Sequence, residues 1–231
     1  MNLRTVAIIQ ARMGSTRLPG KVMMPLQGQS ILTYLVERIS RARTLDGVLV
    51  ATTDHPRDNI IVSECENRGI PVFRGDEFDV LGRYVQAARI SRADIIVRVT
   101  ADNPVTDPDS IDRAVEAIAS NGADYAIEND LPVGTTGEAL THKALMFIDD
   151  IARIPRWREH VTLYAKEHPG TLNCAFLQPR PECKRPDLSF TVDERPDYEY
   201  IRILAGHLPT SDFGLKKLIA IADEVSMRSF V

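Results

Sequence analysis

The stretch Gln10-Ala11-Arg12-Met13-Gly14-Ser15-Thr16-Arg17-Leu18-Pro19-Gly20-Lys21 gathers three cationic side chains, two hydroxyls and two glycines into one short segment. Glycine lets backbone amides approach an anion closely, and Arg and Lys supply charge. Those residue types suit a polyphosphate. The spacing excludes two familiar phosphate loops. Five residues, Ser15 to Pro19, separate Gly14 from Gly20, and Val22 follows Lys21. A P-loop has four residues between its glycines and a Ser or Thr after the lysine. There is no G-x-G-x-x-G either. A solvated turn would explain the charges alone. The glycines beside those charges, and the turn set by Pro19-Gly20, favour an anion cradle.

Two acids belong to the same chemistry. Asp102 lies in Thr100-Ala101-Asp102-Asn103-Pro104, after the apolar run Ile95-Ile96-Val97-Arg98-Val99. Asp193 follows Leu188-Ser189-Phe190-Thr191-Val192. An isolated Asp in such a turn often does no more than cap it. Mg²⁺ on a nucleotide, however, takes one or two carboxylates together with phosphate oxygens. If the strand bearing Asp193 rejoins the main sheet, the two carboxylates share one cation. His160 has no second His four residues on and no paired Cys. It reads as a surface or core histidine, with ligand contact as the rival and no metal role.

These residues need a scaffold that collects them at one edge. Val6-Ala7-Ile8-Ile9 and Val48-Leu49-Val50-Ala51 are apolar throughout, as strands buried on both faces are. Helical patterns follow over residues 30–43, 56–68, 79–91 and 107–120, with Ser30 and Asp107 as caps and Pro56 and Pro108 in first turns. Short strands are expected near Pro71-Val72-Phe73 and over 94–99 and 123–127. This alternation implies a mostly parallel sheet with helices on both faces. Ligands bind such sheets outside the carboxyl ends of the strands, where the cationic loop and Asp102 both fall. Residues 129–137 then break the rhythm. Helices over 141–151 and 155–168, a strand over 171–177 and a turn-rich entry suggest an inserted sub-domain, roughly 131–185, for substrate and subunit contacts. A strand over 188–192, a helix from Pro196 and an amphipathic helix over 215–225 complete the chain.

At 231 residues and 44% hydrophobic, the chain suffices for one domain with a sub-domain. A net charge of −4 provides no global basic field, so no nucleic-acid partner is expected. Three scattered cysteines without C-x-x-C spacing suggest a reducing cytoplasm and no zinc site. No apolar run approaches the length of a membrane span, and no signal peptide is evident.

The assembled motifs resemble a known group. Ala11-Arg12-x-x-Ser15-x-Arg17-Leu18-Pro19-Gly20-Lys21 is similar to the signature of the sugar-acid cytidylyltransferases, which act on acylneuraminate or 3-deoxy-manno-octulosonate. Ala51-Thr52-Thr53-Asp54, Phe73-Arg74-Gly75 with Asp79-Val80-Leu81-Gly82-Arg83-Tyr84, Arg98-Val99-Thr100-Ala101-Asp102-Asn103-Pro104, Arg158-Glu159-His160-Val161-Thr162 and Leu188-x-x-Thr191-Val192-Asp193 point to the spore coat polysaccharide biosynthesis protein F branch. The resemblance implies a Rossmann-like nucleotide-diphospho-sugar transferase fold and a cytoplasmic homodimer. It implies transfer of CMP from CTP to a sugar acid, with Mg²⁺. By position, Ala11, Arg12, Gly14, Ser15, Arg17, Lys21 and Arg74 would bind the nucleotide. Arg12, Lys21 and Asp102 would be catalytic, and Asp102 and Asp193 would hold the metal. Glu138, Arg158 and His160 would face the sugar. The rivals are another NTP-using sugar nucleotidyltransferase, a glycosyltransferase of similar fold, and a nucleotide-binding protein without turnover.

Overall fold

The run that leads into the cationic loop forms an interior strand of a seven-stranded sheet. In the computed structural model, which describes residues 3–208 and 210–228, β1 (Thr5–Gln10) is buried along almost its whole length. After the cationic loop come a short hairpin, β2 (Pro25–Leu26) and β3 (Gln29–Ser30), and α1 (Ile31–Ile39), which Ser30 caps through the Thr33 amide. β4 (Gly47–Thr53), α2 (Asn59–Asn67) and β5 (Val72–Gly75) follow, then α3 (Val80–Ser91) and β6 (Ile95–Thr100). β1 pairs in parallel with β4 on one side and β6 on the other, so Gln10 lies level with Ala51 and Thr100. The loop after β1 and the Asp102 turn after β6 therefore leave the same edge side by side.

Helices cover both faces because the strands are apolar on both. α1, α2 and α4 (Pro108–Asn121) bury their stripes against Ala7, Ile9, Val97 and Val99. On the opposite face, α3 and α5 (His142–Ile151) pack on Val6, Ile8 and Ile96. A third apolar cluster joins the hairpin and α1 to α8 (Arg195–Gly206) and α9 (Leu215–Arg228).

Beyond β6 the sheet continues through β8 (Glu138–Thr141), β7 (Tyr125–Glu128) and β9 (Cys174–Leu177). β8 is antiparallel to both neighbours, which brings its first residue, Glu138, level with Arg98. Segment 131–185 thus supplies two strands to the main sheet and is woven into it. The β8 strand is absent from the sequence reading because Glu-Ala-Leu-Thr shows no alternation long enough to detect; only its pairing defines it.

Two further expectations change. The helix expected over 155–168 splits into α6 (Pro155–Glu159) and α7 (Leu163–Glu167). Between them Val161 takes φ +38°, a strained conformation for a β-branched residue, while its side chain is fully buried. Tertiary contacts override helical periodicity there, with the Thr162 hydroxyl donating to the Glu138 carboxylate. The segment 188–192 is not a sheet strand either. Ser189 makes one bridge with Val133, the Phe190 amide donates to the Val133 carbonyl at 2.8 Å, and the Val192 amide donates to the Asp102 carbonyl at 2.8 Å. Asp193 reaches Asp102 through that last bond, without the sheet.

Candidate active site

Gly20 shapes the approach of Lys21. Its φ of +74° turns the chain into a 3₁₀ turn over Lys21–Met23, and its amide closes the loop on the Met13 carbonyl at 3.0 Å. The Met13 amide is held in turn by Asp58 at 2.7 Å. Lys21 then points inward, with its side chain 10% exposed. Its ammonium donates to Asp102 Oδ2 at 2.8 Å, Asp193 Oδ1 at 3.0 Å and the Val192 carbonyl at 2.8 Å. All three ammonium donors are engaged. Arg17, exposed above them, approaches Asp193 Oδ2 at 3.0 Å.

These groups border a cavity of about 470 Å³ at the carboxyl edge of the sheet. Ala11, Arg12, Ser15, Arg17, Lys21, Asp102, Asp193 and His160 line it. Arg12, half-buried, makes no hydrogen bond or ion pair with any described residue. Across from the loop, Gly134 at φ +87° carries the chain past Thr191. A Cβ there would lie 2.8 Å from the Thr191 amide, so only glycine fits. Thr191 donates to Asn103 at 2.9 Å, which ties this wall to the Asp102 turn.

Four expected site residues lie off the cavity wall. Gly14 packs on the Arg57 guanidinium, where a Cβ would clash at 2.5 Å. Arg74 uses its guanidinium on the Thr53 carbonyl, the His55 carbonyl and Asn59 Oδ1, bracing the loop after β4. Arg158 forms a bidentate pair with Asp79, both bonds 2.8 Å, and a further bond to Asp149 at 3.0 Å. Since Asp79 caps α3 through the Gly82 amide, Arg158 clasps α6 to the start of that helix. Glu138 is buried and saturated: Arg98 and Lys166 each donate to it at 3.0 Å, the Tyr125 hydroxyl at 2.9 Å, and Thr162 closes the set. Burial pushes the Glu138 carboxyl up, but the two cations prevail and hold it at about 2.

Two arginines that the sequence reading passed over do line the cavity. Arg98 projects from β6 on the same face as Ile96 and Thr100. Burial pulls its guanidinium down, yet Glu138 together with Tyr84, Tyr125 and Asp102 outweighs this and leaves it raised. Its Nε is buried without a protein partner. Arg83 of α3 is buried with two backbone carbonyls, those of Asp76 and Glu77, on it and no ion pair to a carboxylate among the described residues. Burial lowers it, and its Nε is likewise unpartnered. The Gln10 side-chain oxygen, on the same wall, is a third buried orphan. A charge inside an otherwise apolar strand is a readable signal: such an Arg must find a partner or a ligand. Arg83, three residues after inward-facing Val80, carries the same signal on a helix.

Among the described residues, no group of three or more His, Cys, Asp or Glu side chains could hold a metal by itself. Asp102 and Asp193 are both within hydrogen-bond distance of one ammonium, so they already share a cation. Two carboxylates fit a divalent ion whose remaining ligands are phosphate oxygens and water. No helix among the described residues is long and apolar enough to cross a membrane.

The cytidylyltransferase family model matches residues 6–218. The spore coat polysaccharide biosynthesis protein SpsF of Bacillus subtilis is 37% identical over 222 residues, covering 93% of this chain and 92% of that protein. A 3-deoxy-manno-octulosonate cytidylyltransferase of Anaeromyxobacter dehalogenans is 34% identical over 135 residues, 57% of this chain and 54% of that one. Among solved structures, a cytidylyltransferase from Leptospira borgpetersenii superposes with TM-score 0.91 at 29% identity, covering 97% of this chain and 96% of that chain. A CMP:2-keto-3-deoxy-manno-octonic acid synthetase solved with CTP gives TM-score 0.68 at 16% identity over 88% of this chain and 99% of that one, a likeness of fold.

Proposed function

Because the chain is a member of the cytidylyltransferase family, we propose that it transfers CMP from CTP to a sugar acid, giving a CMP-sugar and pyrophosphate for surface polysaccharide synthesis. The observation that carries this reading is the single cavity that brings Arg12, Arg83 and Arg98 together with the Asp102–Asp193 pair. Phosphoryl-type transfer needs positioning and charge stabilisation more than covalent chemistry. No protein nucleophile is required, and none is proposed.

Arg12 and the loop amides around Ser15 bind the triphosphate and stabilise the departing pyrophosphate. Lys21 joins them once it is free of the acids. Asp102 and Asp193 hold Mg²⁺, which when bound would neutralise phosphate charge and favour ionisation of the acceptor hydroxyl. Arg98 and His160, both on the cavity wall, receive the carboxylate of the sugar acid. Arg98 suits this because its Nε lacks a protein partner and its charge is set by the Glu138 network behind it. Glu138 and Arg158 act by positioning, the first on Arg98 and the second on the α6 segment that carries His160. The chain works as a cytoplasmic homodimer through segment 131–185, where exposed Ile154 and Phe176 support such a contact. Sedimentation tests that state.

Pyrophosphate release, measured with each of the four NTPs, with and without Mg²⁺ and across a panel of sugar acids, tests the reaction. Release should require CTP, the divalent ion and one acid. Tight nucleotide binding without release for any acid would replace this reading with a binding protein.

A further inference from the structure

The assignments above place two demands on one side chain. The triphosphate needs the Lys21 ammonium, yet all three of its donors are engaged by Asp102, Asp193 and the Val192 carbonyl. Likewise, the two carboxylates cannot surround a metal while that ammonium lies between them. We propose that Lys21 is a stand-in cation. In the nucleotide-free protein its ammonium fills the position between Asp102 and Asp193, and it moves to the phosphates when nucleotide and divalent cation enter together. This rests on the metal and triphosphate roles proposed above.

The surroundings of Lys21 support an exchange. Two carboxylate oxygens and one carbonyl oxygen make an all-oxygen cage, the donor set that a hard divalent cation takes. The lysine enters from the protein side with 10% of its side chain exposed, while Asp102 and Asp193 are 26% and 37% exposed and face the cavity. One ammonium leaves the carboxylate pair one charge short, and among the described residues the one further ion pair on it comes from exposed Arg17. A divalent ion would neutralise both acids. The lysine has a flexible four-carbon stem and strongly hydrated N–H groups that donate readily to phosphate oxygens. Unpaired Arg12 on the same wall marks where those oxygens would lie. The device keeps two adjacent acids from repelling each other before substrate arrives, and it makes tight metal binding conditional on nucleotide.

Mn²⁺ binding to nucleotide-free protein, read from the electron paramagnetic resonance signal of the free ion, tests this without turnover. Wild type should bind Mn²⁺ weakly. Lys21→Met should bind it at least about tenfold more tightly, a gain of about 1.4 kcal/mol. The double variant Lys21→Met/Asp102→Asn should lose that gain. Mn²⁺ affinity in Lys21→Met equal to or below wild type overturns the proposal. If Lys21→Met is poorly folded without metal, thermal unfolding supplies the readout: Mn²⁺ should restore cooperative unfolding, and failure to restore it also overturns the proposal. Inactivity of the wild type with every NTP would instead sink the cytidylyl-transfer reading and leave the Mn²⁺ result standing.

Discussion

Two charge clusters serve the same cavity with opposite balance. Around Lys21, one ammonium faces the carboxylates of Asp102 and Asp193. Around Glu138, one carboxylate faces Arg98 and Lys166. The first cluster is short of buried positive charge, its second cation being the exposed Arg17, and its acids face the cavity. The second has a surplus cation and its carboxylate is sealed inside. This opposition fits the proposed roles, a metal-bound nucleotide on one side of the pocket and a sugar acid on the other. An excess of acid attracts the cation, and an excess of guanidinium attracts the carboxylate. A formal net charge of −4 conceals this local opposition.

Breaking the sealed cluster should have the largest effect. Glu138→Ala leaves Arg98 buried without its counter-charge, and losing one partner of a buried pair costs about 3–5 kcal/mol. The urea midpoint should fall accordingly; a loss under about 1 kcal/mol would show that the cluster is not a buried pair. The same residue sets an acid limit. Its folded carboxyl, at about 2, lies below the ordinary 4.5, so the stabilisation is complete above about 4.5 and is lost as pH falls towards 2. Glu138→Gln should lack that part of the acid transition, which a pH series of unfolding midpoints would reveal.

The open cluster should report through turnover. Asp102→Asn or Lys21→Ala should lower the rate of pyrophosphate release at least about tenfold, or about 1.4 kcal/mol of transition-state stabilisation. Unchanged kinetics in folded Asp102→Asn protein would remove that acid from the mechanism. On the opposite wall, Arg98→Gln should raise the KM for the sugar acid about tenfold, the scale of one charge-assisted hydrogen bond, with the KM for CTP unchanged. Equal rises in both would move Arg98 to the nucleotide side. The smallest effect belongs to Arg158→Ala. Its pair with Asp79 is partly exposed, at 27% and 36%, so a stability loss of about 0.5–1 kcal/mol is expected. Both KM values should stay within twofold if the residue is only a clasp.

Much of this molecule was legible in the chain because local rules suffice for it. The apolar runs of β1, β4 and β6, the caps Ser30 and Asp107, and the Pro19-Gly20 turn before Lys21 each follow from side-chain type over a few residues. The same rules placed the cationic loop and Asp102 at one sheet edge, since parallel strands end together. The residues that surround them were less legible. Arg74, Arg158 and Glu138 have the charges of ligand-binding groups, but each meets an internal partner that lies far along the chain or across the sheet.

Spacing and residue type by themselves determined the mostly parallel α/β scaffold, the rejection of a P-loop and the meeting of the cationic loop with Asp102 at one sheet edge. Tertiary structure alone decided which charges remain available. It inserted antiparallel β8 beside β6 and so gave Arg98 its carboxylate. It broke the expected helix at Val161 and so let Thr162 reach Glu138. It brought Asp193 to Asp102 through one backbone hydrogen bond and set Lys21 between them. The reason is physical. A charged side chain is free or neutralised according to what lies within a few ångströms of it, and the partners of Lys21 and Arg98 come from residues 40 to 172 positions away.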